Sequence, residues 1–238
     1  MQQTSRTVGV LLAAGTGSRF GSDLPKQFLR VAGRTIIEHA VDAFEDHPMI
    51  DDIIIVMHPA YLDEMKRLVN ENRWEKIWKV LPGGKERFDS SLNAIEACSG
   101  HPDWKILLHD AARALVPQRI ITEVVMALDR HNAVDVVIPA TDTVIQTDPS
   151  GRFILEIPDR RKMRSGQTPQ GFRVGTIEKA YRTGMAQPDF FATDDCGIVA
   201  RYLPEEPIFL VDGDPLGNMK VTYPSDLQTM ENYLASLG

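Results

Sequence analysis

The chain has 238 residues, 43% of them hydrophobic and 25% charged, enough to bury a sizeable core within one α/β domain. Its formal charge of −7 argues against binding to nucleic acid or an anionic membrane, because an acidic surface displaces no counterions from a polyanion. Two cysteines, Cys98 and Cys196, lack CxxC spacing, and the apolar run at 8–14 is too short for a signal segment or a membrane span, so a reducing, cytoplasmic location is expected.

Residues 8–14 form a continuous apolar run that enters a Gly-rich turn, the pattern of a buried parallel strand. A helix is predicted at 36–44, a buried strand at 52–57, a helix at 61–71 and a strand at 78–81. The alternation continues with a helix at 90–97, a strand at 105–109, a helix at 117–131 and a strand at 134–139, which predicts a doubly wound, mostly parallel sheet with a mononucleotide-binding first half. Regularity breaks at about 140–163, where Pro149-Ser150-Gly151 turns between two short predicted strands. Such an arm protrudes from a sheet and is a common dimerisation device, so a homodimer is expected in which the arm reaches the partner's site. A helix at 173–185, a strand at 207–212 and a helix at 225–237 complete the chain.

The chemistry concentrates after the first strand, in Leu12-Ala-Ala-Gly15-Thr-Gly17-Ser-Arg19-Phe-Gly21 and the following Pro25-Lys26-Gln27. Small residues there let backbone N–H groups approach phosphate oxygens, while Arg19 and Lys26 supply the positive charge that a triphosphate needs. A dinucleotide fingerprint fits poorly, since Gly21 falls one residue late for G-x-G-x-x-G. Asp110 ends a predicted central strand, at the sheet edge where open α/β folds bind ligands. The pair Asp194-Asp195 reads as a helix cap, and Ser90 as an N-cap for the helix at 90–97.

Five motifs in order carry a resemblance. The first stretch is similar to L-A-A-G-x-G-x-R with P-K-Q; Gly83-Gly84-Lys-Glu-Arg87-Phe-Asp-Ser90 to G-G-x-x-R-x-x-S; His109-Asp110-Ala111-Ala112-Arg113 to H-D-A-A-R; Gln167-Thr168-Pro169-Gln170 to Q-T-P-Q; and Asn218-Met-Lys220-Val-Thr222 to N-I-K-x-T. Together they resemble the cytidylyltransferases that act on 2-C-methyl-D-erythritol 4-phosphate and on D-ribitol 5-phosphate. The resemblance implies a single-domain Rossmann-like fold of the nucleotide-diphospho-sugar transferase type with a protruding β-arm. It further implies CTP as a substrate held by Ala13, Ala14, Gly15, Gly83, Gly84, Arg87, Ser90, Asp110 and Ala111.

Arg19 and Lys26 would then stabilise charge developing on the α-phosphate, Lys220 would orient the acceptor phosphate, and Thr143 and Arg160 would reach it from the partner's arm. Mg²⁺ or another divalent cation is implied at Asp110, a sparse site completed by phosphate oxygens. Asp214 is the leading second ligand, with Asp212 the alternative.

The arm departs from the methylerythritol pattern. Thr141-Asp-Thr143-Val-Ile-Gln146 lacks the lysine usual there, and Ile157-Pro-Asp-Arg160 with Met163-Arg-Ser-Gly-Gln-Thr-Pro-Gln170 is similar to the ribitol branch. D-ribitol 5-phosphate is therefore the expected acceptor, with 2-C-methyl-D-erythritol 4-phosphate as the alternative. A catalytically silent nucleotide-binding module is disfavoured because Arg19, Lys26, Asp110 and Lys220 are present together. A glycosyltransferase, which usually carries a D-x-D at a strand end, is disfavoured because His109-Asp110-Ala111-Ala112 is not one.

Overall fold

The computed structural model describes residues 5–15 and 25–237. Strand β1 (Thr7–Ala13) is followed by a small hairpin, β2 (Arg30–Val31) and β3 (Arg34–Thr35), which delivers the chain into helix α1 (Ile36–Glu45). Thr35 starts that helix with a capping box. Its hydroxyl accepts from the Glu38 N–H at 3.3 Å, and the Glu38 carboxylate accepts from the Thr35 N–H at 2.7 Å. The chain continues through β4 (Asp52–Met57), α2 (Leu62–Asn72), β5 (Ile77–Pro82), α3 (Arg87–Ala97), β6 (Lys105–Asp110), α4 (Gln118–Ala127) and β7 (Ala133–Pro139). The arm carries β8 (Gln146–Thr147) and β9 (Ile154–Glu156), after which come β10 (Arg164–Arg173), α5 (Val174–Met185), α6 (Asp195–Tyr202), β11 (Ile208–Asp212) and α7 (Pro224–Leu237).

Seven strands make one sheet in the order β11-β7-β10-β6-β1-β4-β5, parallel except for β10, which runs antiparallel to both neighbours. Both faces are covered, which is why the strands read as unbroken apolar runs rather than alternating ones. Along β4, Ile53, Ile55 and Met57 pack with α1, α2, α4 and α7, whereas Ile54 and Val56 pack with α3, α5 and α6. No helix among the described residues is long and apolar enough to cross a membrane.

Most of the predicted elements are present, with shifted ends. Helix α3 begins at Arg87 rather than at 90, so Ser90 sits inside it and is not its cap. Helix α4 stops at Ala127, short of 131. Four elements are not among those predicted: the hairpin strands β2 and β3, strand β10, and helix α6, of which only the cap at Asp194-Asp195 is predicted. Strand β10 spans a segment whose glycines, glutamines and proline oppose strand propensity, and it tolerates Pro169 because its register with β7 shifts between Gln167 and Gly171. Helix α6 is short and starts at the Asp194-Asp195 pair; Asp194 is the cap, accepting from the Gly197 N–H at 2.7 Å.

Candidate active site

The parallel strands β1, β4, β5 and β6 end on one edge of the sheet, and a cavity of about 350 Å³ opens there. Its floor is the end of β1. Gln27 donates from Nε2 to the Ala13 carbonyl at 2.9 Å, and Lys26 donates from Nζ to the Val221 carbonyl at 2.9 Å. Val221 in turn donates its N–H to the Ala112 carbonyl at 2.8 Å. The Pro-Lys-Gln and Asn-Met-Lys-Val-Thr segments, nearly two hundred residues apart in sequence, are thus pinned to one strand edge and to each other.

One wall is the turn between β5 and α3. The Gly83 N–H donates to the Met57 carbonyl at 2.8 Å, and the Gly84 N–H donates to Ser90 Oγ at 3.1 Å. Any side chain at Gly83 would run into the Cβ of Ala14, so glycine is required for the two backbones to meet. This turn and Ala14-Gly15 edge the cavity and an adjoining cleft that also includes His58 and Pro59.

The opposite wall is charged. Asp110, 13% exposed, accepts from Arg87 Nε at 3.1 Å and from Lys220 Nζ at 2.6 Å. Burial opposes the charge on Asp110, but Arg87 and Lys220 outweigh it and hold the carboxyl well below the usual carboxylate range. Arg87 also donates from Nη1 to Asp195 Oδ2 at 2.6 Å. Burial works against the guanidinium charge, and the two carboxylates overcome that and raise its pKa.

Behind Asp110 lies a buried polar layer. The Asp110 N–H donates to Thr168 Oγ1 at 3.1 Å. His109 sits 3.0 Å from that hydroxyl through Nδ1 and 3.0 Å from the Arg113 carbonyl through Nε2. A carbonyl only accepts, so Nε2 carries the proton and Nδ1 accepts from the threonine hydroxyl. Burial pushes His109 down to about 4, against these hydrogen bonds, so it is a neutral structural imidazole near neutrality.

Ala13, Ala14, Gly15, Lys26, Gly84, Arg87, Ser90, Asp110, Ala111 and Lys220 all line the cavity, and Gly83 lines the adjoining cleft. Thr143 and Arg160 are not brought to it: both are exposed on the arm, where Arg160 donates to the Thr141 carbonyl at 2.8 Å. Asp214 does not line the cavity either. Its Oδ1 accepts from the N–H groups of Leu216 and Gly217 at 2.9 and 2.7 Å, closing the turn before Asn218. Arg19 lies outside the described residues. No group of three or more His, Cys, Asp or Glu side chains stands together as a cation site among the described residues. Asp110 would suit a sparse Mg²⁺ site, an ion that takes one or two carboxylates and fills its remaining positions with phosphate oxygens and water, with its oxygens then shared with Arg87 and Lys220.

Asp195 was read as part of a cap and is instead buried against Arg87, with Tyr181 donating to its Oδ1 at 2.6 Å. The available signal was that a helix has one N-cap, which leaves the other of two adjacent aspartates for a different role.

Residues 7–236 match the family described as IspD: 2-C-methyl-D-erythritol 4-phosphate cytidylyltransferase. The chain is 48% identical over 233 residues to the 2-C-methyl-D-erythritol 4-phosphate cytidylyltransferase of Thermobifida fusca, covering 96% of this chain and 93% of that protein. It is 42% identical over 224 residues to the bifunctional ribulose 5-phosphate reductase/CDP-ribitol pyrophosphorylase of Haemophilus influenzae, covering 94% of this chain and 47% of that one. In three dimensions it superposes on 4-diphosphocytidyl-2C-methyl-D-erythritol synthase from Anaerococcus prevotii with a TM-score of 0.84, at 24% identity and covering 97% and 99% of the two chains, a likeness of fold. The motifs that edge the cavity are those the family match spans from end to end: this chain belongs to the IspD family of 2-C-methyl-D-erythritol 4-phosphate cytidylyltransferases and is a nucleotidyltransferase.

Proposed function

We propose that the protein transfers a cytidylyl group from CTP to 2-C-methyl-D-erythritol 4-phosphate. The observation that carries the chemistry is the meeting of Lys26, Arg87, Asp110 and Lys220 around one cavity beside a small-residue turn. An oxygen of the acceptor phosphate attacks the α-phosphorus of CTP; the new P–O bond forms as the bond to the β-phosphate oxygen breaks, and pyrophosphate leaves. The acceptor oxygen is already ionised near neutral pH, so no side-chain nucleophile is required. Catalysis is then positioning and charge stabilisation. The Ala14-Gly15 and Gly83-Gly84 turns hold the nucleotide, Lys26 and Arg87 meet the phosphates, and Lys220 orients the acceptor phosphate. Arg19, in the same small-residue motif, joins them in this reading. Asp110 would hold Mg²⁺, which supplies charge neutralisation on the phosphates when bound.

The acceptor is the finer point. The ribitol expectation rested on the arm, but the 48% identity with a methylerythritol-phosphate enzyme exceeds the 42% identity with the CDP-ribitol enzyme, and this supports the alternative over it. The second reading, D-ribitol 5-phosphate, keeps the support of Gln146 where a lysine is usual and of the Ile157-Pro-Asp-Arg160 sequence. We further propose that a homodimer brings Thr143 and Arg160 to the partner's acceptor site. Phe153, Ile154 and Leu155 are 70%, 61% and 65% exposed on the arm, and this apolar surface supports the association.

Pyrophosphate release from CTP and Mg²⁺ with each acceptor offered separately tests the reading. Turnover with 2-C-methyl-D-erythritol 4-phosphate alone is expected, and its loss in an Asp110→Ala variant. Turnover with D-ribitol 5-phosphate alone overturns the acceptor assignment, and release with neither overturns both.

A further inference from the structure

Beneath the charged wall of the cavity, a fully buried carboxylate has no contact with the cavity itself. Asp195 is 0% exposed, and its two oxygens are spent on two partners: Oδ2 on Arg87 Nη1 and Oδ1 on the Tyr181 hydroxyl, each at 2.6 Å. Its backbone is fixed too. The N–H groups of Asp195 and Cys196 donate to Gln170 Oε1 at 3.1 and 3.3 Å, and Asp194 caps the same helix.

Burying an ion pair is a poor route to stability, because apolar residues of similar volume serve as well or better. What the pair does supply is geometry. Arg87 is held at two points of its planar fork, Nε by Asp110 and Nη1 by Asp195, so the guanidinium plane is set where the side chain lines the cavity. Without Asp195, the fork is able to turn and close on both oxygens of Asp110 as a bidentate pair. That arrangement would occupy the carboxylate shared with Lys220 and withdraw donors from the phosphates.

We propose that Asp195, locked by Tyr181, is a positioning residue that sets the guanidinium of Arg87 for the nucleotide phosphates and keeps it from clamping Asp110. It touches neither nucleotide nor acceptor and acts through Arg87. The inference rests on CTP being the nucleotide of this site, but not on which acceptor is used.

Calorimetric titration of CTP in the presence of Mg²⁺, on the full chain, tests it without any acceptor. Asp195→Asn keeps the shape and removes the charge; Tyr181→Phe keeps the ring and removes only the hydroxyl, a second variant should the first fail to fold. Dissociation constants are expected to rise about tenfold and about threefold, the second less because Tyr181→Phe leaves the Asp195 charge on Arg87. Both increments should vanish when the variants are built on Arg87→Ala, because a residue that acts through another has nothing left to position. Increments of the same size in that background, or a lower melting temperature with CTP affinity unchanged, would overturn the inference. A wild-type protein that does not bind CTP would overturn the nucleotide reading and the inference with it.

Discussion

Lys220 makes the shortest contact to the cavity carboxylate, 2.6 Å from Asp110 Oδ2, while keeping 39% of its side chain exposed. It holds a cation at the site without being buried by the fold, so its removal should cost function far more than stability. Lys220→Ala is expected to lower kcat by about 10²-fold or more, the scale of a lost charge-stabilising group, with the melting temperature little changed. Pyrophosphate release and thermal unfolding of the same preparation check this; a loss smaller than tenfold would remove Lys220 from the chemistry. Ser90 illustrates how a residue type is legible and its geometry is not. A serine near a helix start suggests a cap, but Oγ accepts from the Gly84 N–H at 3.1 Å and donates to the Glu86 carbonyl at 3.3 Å, so it braces the turn that faces the cavity.

At the scale of elements, the β5–α3 turn and the β1 end are fitted to each other through Gly83. Adding one carbon there forces Ala14 away, and displacements of about 1 Å at the phosphate cradle proposed for this turn would be worth up to about 10² in rate. Gly83→Ala should therefore raise KM for CTP about tenfold or more while circular dichroism stays native, as steady-state kinetics would show; an unchanged KM would mean that the cradle tolerates the shift. The arm is the second element with a testable role. Leu155→Asp places a charge in its exposed apolar strand, and sedimentation should show the dimer expected for the unmodified chain giving way to a monomer, with acceptor KM rising. A wild-type chain that sediments as a monomer defeats this prediction.

The buried strands were readable because both faces of the sheet are covered, so β1, β4, β6 and β7 carry near-continuous apolar sequence. Strand β10 was not. Its side chains are chosen for distant partners: Gln167 accepts from Asn218 Nδ2 at 3.0 Å, and Gln170 donates to both Asp135 and Asp194 at 3.0 and 2.9 Å. Such choices leave no local periodicity. In the same way the cavity residues were legible as motifs, whereas the Arg87–Asp195 pairing joins residues 108 apart and has no local signature.

At the scale of the whole molecule, the cluster beside β10 sets a pH dependence. Burial, with the neighbouring Asp194 charge, raises the Asp135 carboxyl to about 6 despite the hydrogen bond from Gln170. A carboxyl whose folded pKa lies above its unfolded value favours folding most at low pH, and this contribution disappears as pH rises through about 6. Asp135→Asn, neutral at every pH, should therefore gain on the wild type by about 2 kcal/mol between pH 4 and pH 8. Urea unfolding at the two pH values measures the difference; a pH-independent gap would show that the carboxyl titrates normally. Comparison against the variant also cancels the opposite trend from His109, whose lowered pKa destabilises the fold as pH falls from about 6.5 towards 4.

Strand β10 leaves the root of the arm opposite Pro139, passes Thr168 beneath Asp110, and ends with Phe172 in the core. An extended backbone has almost no length to give, so it behaves as a tie rod between the periphery and the catalytic edge. The slack on that path is the bulge between Gln167 and Gly171, which lies beside His109 and the Asp110 amide. Changes in arm length or seating are therefore not confined to the surface. Engineering that exchanges the arm for another should join it on the arm side, between Pro139 and Arg164 in sequence, because a junction inside β7 or β10 resets the tension at the very amide that holds Asp110 in register.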